Sequence, residues 1–159
     1  MPMAAGTALQ GLRDGGKIQA GQKVLILGGG GIGAETADFL SEKGKDVTLV
    51  EMREGIALDL VGHLQHFLNM RLKEKKVQIL TSTKVLRFEP SGVWVEDSEG
   101  TRRLGGFDSV VAAIGVKPDN KLSRSLQGKV PEIFVVGDAA QPREVLEALL
   151  EAEETAMKI

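Results

Sequence analysis

The sequence predicts an α/β protein: a parallel β-sheet wound with helices, carrying a small inserted antiparallel β-meander. Three observations predict it. Between residues 23 and 80, short aliphatic runs alternate with segments of helical spacing. Four glycines, Gly28 to Gly31, stand where the first aliphatic run gives way to the first helical pattern. From residue 81 the composition shifts to short alternating stretches separated by turn residues, before aliphatic runs return.

Taken in order, residues 1 to 21 carry five glycines and weak periodicity, and read as an entry linker. Lys23 to Leu27 is aliphatic and stops at glycine, as a buried strand does. Ile32 to Lys43 has helical spacing, with Ile32, Thr36, Phe39 and Leu40 on one face and Gly44 as the C-terminal cap. Asp46 to Glu51 is a second strand, completing a βαβ unit with a right-handed crossover. A loop follows. Asp59 is placed to cap a helix running to Lys76, with Leu60, Leu64, Phe67, Leu68 and Leu72 inward. Val77 to Leu80 is a third strand. The next three segments form the meander, with turns at Pro90 to Gly92 and at Glu99–Gly100. Residues 108 to 115 are apolar on both faces and re-enter the parallel sheet. Residues 116 to 131 read as a polar connector, 132 to 138 as a further buried strand, and 142 to 159 as a helix with an early proline.

Composition narrows the function classes. The charged share is 26% and the net charge −2, so no basic excess points to nucleic acid or to an anionic membrane surface. No apolar run is long enough to span a bilayer, and the N-terminal stretch lacks the pattern of a secretory signal. The absence of cysteine removes disulfides, a redox dithiol and cluster thiolates from these residues, and fits a reducing cytoplasm. His63 and His66 lie three apart on a helix without an evident third ligand, so they read as a surface pair and not as a metal site. Trp94 packs the meander, Lys73 to Lys76 is a solvated helix end, and Arg102 and Arg103 are surface charge.

The glycine run satisfies G-x-G-x-x-G as Gly28, Gly30 and Gly33. The first glycine makes the tight turn after the strand, the second lets a pyrophosphate approach, and the third lets helix and strand touch. A second register through Gly29, Gly31 and Ala34 fits the motif less well. The helix start aims the N–H groups around Gly30, Gly31, Ile32 and Gly33, and the positive end of its dipole, at phosphates. Glu51, at the end of the second strand, stands near the spacing expected of the acid that holds an adenosine ribose 2′-OH. A carboxylate there favours NAD over NADP, whereas Arg53 is close enough to meet a 2′-phosphate. The motif with its context makes the fold Rossmann-like.

The stretches "KVLILGGGGIGAETADFLSEKGKDVTLVE", "GIALDL", "KVQILTSTKVLRF", "SVVAAIGVKPDN" and "GKVPEIFVVGDAAQPREVLEAL" occur in the order they take in a known family. From about residue 7 onward the chain resembles the C-terminal part of the multidomain NADH:flavin oxidoreductases related to old yellow enzyme, which include 2,4-dienoyl-CoA reductase, enoate reductase and trimethylamine dehydrogenase. The resemblance implies a linker over 1–21, an NAD(P)H-binding domain over 22–116, a connector over 117–129, and the return strand and helix of an FAD-type fold over 130–159. It implies that Glu35 lies near the nicotinamide, that Gly115 is in a turn facing the cofactor, and that Gly137 and Asp138 meet the FAD ribityl chain. Asp138 also reads as a helix cap.

In such a parent, NAD(P)H would pass hydride to FAD for reduction of an enoyl-type substrate elsewhere, and FMN and a four-iron cluster would lie outside these residues. FAD could be held only with the missing half, because there is no second glycine motif. No catalytic residue is assigned to the chain itself. The expected partners are the dinucleotide and the remaining flavoprotein domains. The apolar side of the last helix predicts self-association as a homodimer, or else a rearranged C-terminus. Two alternatives stay open: a stand-alone nucleotide-binding or interaction module without turnover, and a fragment of a pyridine nucleotide–disulfide reductase.

Overall fold

The computed structural model describes residues 19–143 and 145–159, and the chain divides after Ile114 into two compact units. In the first unit, β1 (Lys23–Leu27), α1 (Gly31–Glu42) and β2 (Asp46–Val50) form the expected parallel crossover. α2 (Gly62–Glu74) and β3 (Gln78–Leu80) repeat it. The strands β4 (Lys84–Glu89), β5 (Gly92–Asp97) and β6 (Gly100–Leu104) form the antiparallel meander. β7 (Ser109–Ala112) then returns beside β1, giving a four-stranded sheet of order β3-β2-β1-β7. β1 thus has its crossover neighbour on one side and the returning strand on the other, a switch point where ligands enter such sheets.

Side chains alternate across β1, and the two halves of the core follow from that period of two. Val24 and Ile26 face the helices, joined by Ala34, Ala37, Leu40, Leu49, Leu68 and Leu72. Leu25 and Leu27 face the meander, joined by Val50, Val93 and Val95. The parallel sheet is therefore covered by helices on one face and by the meander on the other. Trp94 packs on the outer meander face under the Arg87 guanidinium, 4.7 Å from the ring centroid.

Several expectations need correction. Ile32 is 57% exposed, because α1 starts at the rim of the sheet and Ala34 and Ala37 take the close contact with it. Leu64 and Phe67 are 51% and 56% exposed, and only Leu68 and Leu72 of α2 are buried. The sheet-facing arc of α2 is narrower than its apolar pattern. Lys75 is not merely solvated: its ammonium meets Asp38 at 2.8 Å and Glu42 at 3.6 Å, while Arg71 meets Asp38 at 3.0 Å, tying α2 to α1. Arg102 pairs with Asp97 across β5 and β6.

The second unit contains α3 (Lys121–Leu126) within the expected connector, and α4 (Val145–Ala156). Residues 132–136, expected as a strand, join no ladder, and Gly137–Ala139 form one 3-10 turn instead. A strand needs a neighbour for its N–H and C=O groups, and among the described residues none pairs with this segment. Val145, Leu146, Leu149 and Leu150 of α4 are exposed. No helix among the described residues is long and apolar enough to cross a membrane.

Candidate functional site

The site lies at the carboxyl end of β1. There the chain turns through Gly28, whose φ of +94° and closeness to the Ala113 carbonyl, 2.3 Å from an ideal Cβ, admit only glycine. The Gly28 N–H continues the sheet by donating to the Val50 carbonyl at 2.9 Å. α1 then begins so close to β1 that a Cβ on Gly33 would stand 1.8 Å from the Gly28 carbonyl oxygen. Gly28 and Gly33 therefore have the roles of the first and third motif glycines, which favours the first of the two registers.

Glu51 is 6% exposed and directed at this turn. Its Oε2 accepts the Gly29 N–H at 2.6 Å, and its Oε1 accepts the Arg53 N–H at 2.8 Å. The Arg53 Nε lies 3.5 Å from the same Oε1. A buried carboxylate needs such partners, and here the main chain supplies two of them.

The loop between β2 and α2 folds back over the glycines. Ala57, buried and with a φ of +53°, donates its N–H to the Gly29 carbonyl at 2.6 Å. The Ile56 side chain leaves no room for a Cβ on Gly29, 2.8 Å away. Asp59 does not cap α2, whose N-cap position is Val61, with no side-chain cap bond. Its two carboxylate oxygens instead accept the Gly31 N–H at 2.9 and 3.0 Å, at the positive end of α1. The anchored Ala57 aims the loop there, and sequence reading alone assigned Asp59 to the nearer helix. The signals available were an acid eight residues beyond Glu51 and apolar residues, Ile56 and Ala57, in a loop that must bury them.

Among the described residues, the N–H groups of Gly30, Ile32 and Gly33 have no acceptor, whereas that of Ala34 already bonds the Gly30 carbonyl at 2.9 Å. These groups stand together at the positive end of the α1 dipole, the arrangement that suits an anion. The open side of Gly30 is flanked by Asp59 and by the Arg53 guanidinium, 3.4 and 3.8 Å from an ideal Cβ. Glu35 is half-buried one turn along α1, and burial raises its pKa above the ordinary value. Arg71 opposes that shift, and Asp38 and Asp59 add to it.

Gly115, Gly137 and Asp138 belong to the second unit. Gly115 has a φ of +94° in open space. Gly137 donates its N–H to Glu151 at 2.8 Å, and Asp138 is exposed with no cap bond.

The comparisons with known proteins agree with this geometry. Residues 4–156 match the model of the pyridine nucleotide-disulphide oxidoreductases. The chain belongs to that family. It is 32% identical over 172 residues to a metal reductase of Desulforamulus reducens, covering 90% of this chain and 26% of the relative. It is 33% identical over 143 residues to a cinnamate reductase of Clostridium sporogenes, covering 87% of this chain and 21% of that one. The chain thus spans about a quarter or less of the length of these two relatives. Among solved structures, 2-naphthoyl-CoA reductase superposes with a TM-score of 0.75 at 25% identity over 94% of this chain and 24% of the other. Histamine dehydrogenase from Rhizobium sp. 4-9, at 20% identity and a TM-score of 0.78 over 88% of this chain and 23% of the other, shares the fold. The resemblance to the old yellow enzyme-related multidomain flavoproteins therefore holds, and the fold is the Rossmann-like one of the family.

Proposed function

We propose that this chain is the pyridine-nucleotide-binding portion of an NAD(P)H-dependent flavin oxidoreductase. The observation that carries the reading is the cluster of acceptor-less N–H groups at Gly30, Ile32 and Gly33, beside the buried Glu51 carboxylate and at a sheet switch point. Residues of this kind fit a dinucleotide. The N–H groups of α1 would take the diphosphate, and the remaining lone pairs of Glu51 would take the adenosine ribose diol. NAD is favoured over NADP, because a buried carboxylate repels a 2′-phosphate, with Arg53 as the opposing influence. The bound nicotinamide supplies hydride. The chain's own part is to hold the carrier and set its direction. Glu35, by family resemblance, lies on the nicotinamide side.

The residues present do not fit a complete FAD site. Only Gly137 and Asp138 match one, and the Gly137 N–H already bonds Glu151. A flavin acceptor, an enoyl-type substrate, FMN and a four-iron cluster accordingly belong to further domains of a longer protein. The apolar side of α4, exposed at Leu146, Leu149 and Leu150, supports docking of such domains or a homodimer in their absence.

Titration with NADH and with NADPH, followed by cofactor fluorescence and repeated with FAD added, tests the reading. Saturable NADH binding, weaker NADPH binding and no flavin colour are expected. A chain that leaves the fluorescence of both nucleotides unchanged overturns it.

A further inference from the structure

We propose that Asp59 is a resident anion at the diphosphate corner, and that NAD(P)H docks by displacing its carboxylate from the N-terminus of α1. This inference rests on the dinucleotide reading of the same site and adds a competitor within the chain. Both Asp59 oxygens lie on one donor, the Gly31 N–H, at 2.9 and 3.0 Å. Two acceptors sharing one proton make a poorer contact than two separate bonds. Three neighbouring N–H groups, of Gly30, Ile32 and Gly33, meanwhile have no acceptor. A carboxylate on a short side chain reaches one donor. A diphosphate, with several oxygens, can engage the Gly31 N–H and its neighbours together, so exchange favours the ligand.

Exchange is also opposed, because Asp59 lies on the face of Gly30 that the ligand must approach and carries the same sign of charge. Its loop is held in place apart from the carboxylate, through the Ala57 N–H bond to Gly29 and the buried Ile56. The side chain can therefore rotate away without unfolding the loop. Arg53, over the same face, has the charge that welcomes the incoming anion.

The test is Asp59→Asn in the full chain, which keeps an acceptor for Gly31 and removes the charge. NADH and ADP-ribose are titrated at low ionic strength, with adenosine, which has no diphosphate, as the reference. The variant is expected to bind NADH and ADP-ribose at least about tenfold more tightly, with adenosine unchanged. Asp59→Ser, too short to reach Gly31, is expected to show the same gain if Asn alters the loop, and thermal melts check folding of both. In the unsubstituted chain, saturation with ADP-ribose is expected to shift the Gly31 amide resonance as it changes acceptor. Unchanged or weaker NADH binding by both variants, where the unsubstituted chain binds, overturns this proposal and leaves the dinucleotide reading standing. No binding by any of the three proteins overturns both.

Discussion

Replacing Gly33 by alanine sets two expectations of opposite sign against each other. Within α1, alanine is the better helix former, by about 0.8–1 kcal/mol. The packing says otherwise. The new Cβ would stand 1.8 Å from the Gly28 carbonyl oxygen and 3.3 Å from the Ala113 side chain. The oxygen belongs to the main chain and cannot rotate aside, so α1 must move off β1 by roughly 1.5–2 Å to reach ordinary contact. That movement loosens Ala34, Ala37 and Leu40, all buried against the sheet. Overpacking in a tight core costs about 1–3 kcal/mol or more, and contact with a fixed carbonyl puts this site at the upper end. A loss of about 3 kcal/mol lowers the Tm by about 6–12 °C in a chain of this length. The same movement displaces the N–H groups of Gly30, Ile32 and Gly33. Losing one bond from them to a charged ligand costs about 1.5–3 kcal/mol, so NADH affinity should fall by at least about tenfold. Gly44→Ala is the control: its φ is +73°, nothing lies within 4 Å, and it stands at the other end of α1. It should lose about 1–2 kcal/mol from backbone strain alone, with NADH affinity intact. Thermal melts and fluorescence titration measure both variants. A Gly33→Ala chain that melts no lower than the parent and binds NADH undiminished would refute the reasoning.

Three further outcomes follow from the geometry. Glu51→Gln should lower stability by about 1–3 kcal/mol, because the amide oxygen keeps only one of the bonds from the Gly29 and Arg53 N–H groups, as a neutral one, while its NH2 group faces the other donor. It should also raise the NADPH-to-NADH affinity ratio, read by parallel titrations. Leu72→Ala should cost about 2–5 kcal/mol in urea unfolding, because Leu72 is fully buried, whereas Leu64→Ala on the exposed side of the same helix should stay within about 0.5 kcal/mol. Glu35 has a raised native pKa, so its contribution is complete below the unfolded carboxylate pKa and is lost as pH rises through the native one. Glu35→Gln lacks that dependence. Its Tm relative to the parent should be highest near neutrality and should fall on acidification, and a constant difference across that window would count against the burial of Glu35.

Much of the first unit was legible because its elements are encoded locally. β1, β2 and β3 are aliphatic runs of strand length, and the turns before Gly92 and Gly100 carry their own glycines. Glu51 was legible because its place depends on the length of one crossover. Features set by distant contacts were not. The loop from Met52 to Val61 has no period, so nothing local shows that Ala57 takes a left-handed conformation and swings Asp59 onto the other helix. The apolar pattern of α2 names Leu64 and Phe67 as readily as Leu68 and Leu72, since an arc of burial depends on what faces it. Residues 132–136 have strand composition without a ladder, because composition supplies side chains and a ladder requires a neighbouring backbone.

The order in the glycine turn bears on how a nucleotide would bind. Glycines lose the most conformational entropy on folding, and a turn left loose until a ligand arrived would charge that loss to the affinity. Here the chain's own groups fix the turn. Gly28 bonds Val50, the Gly29 N–H bonds Glu51, and the Gly29 carbonyl accepts Ala57. The donors left over, at Gly30, Ile32 and Gly33, are the ones an anion can use. Glu51 therefore acts twice, as the brace that fixes the turn and as the carboxylate beside it. A substitution that weakens the brace should increase dissociation of the nucleotide even where no contact to the ligand is removed.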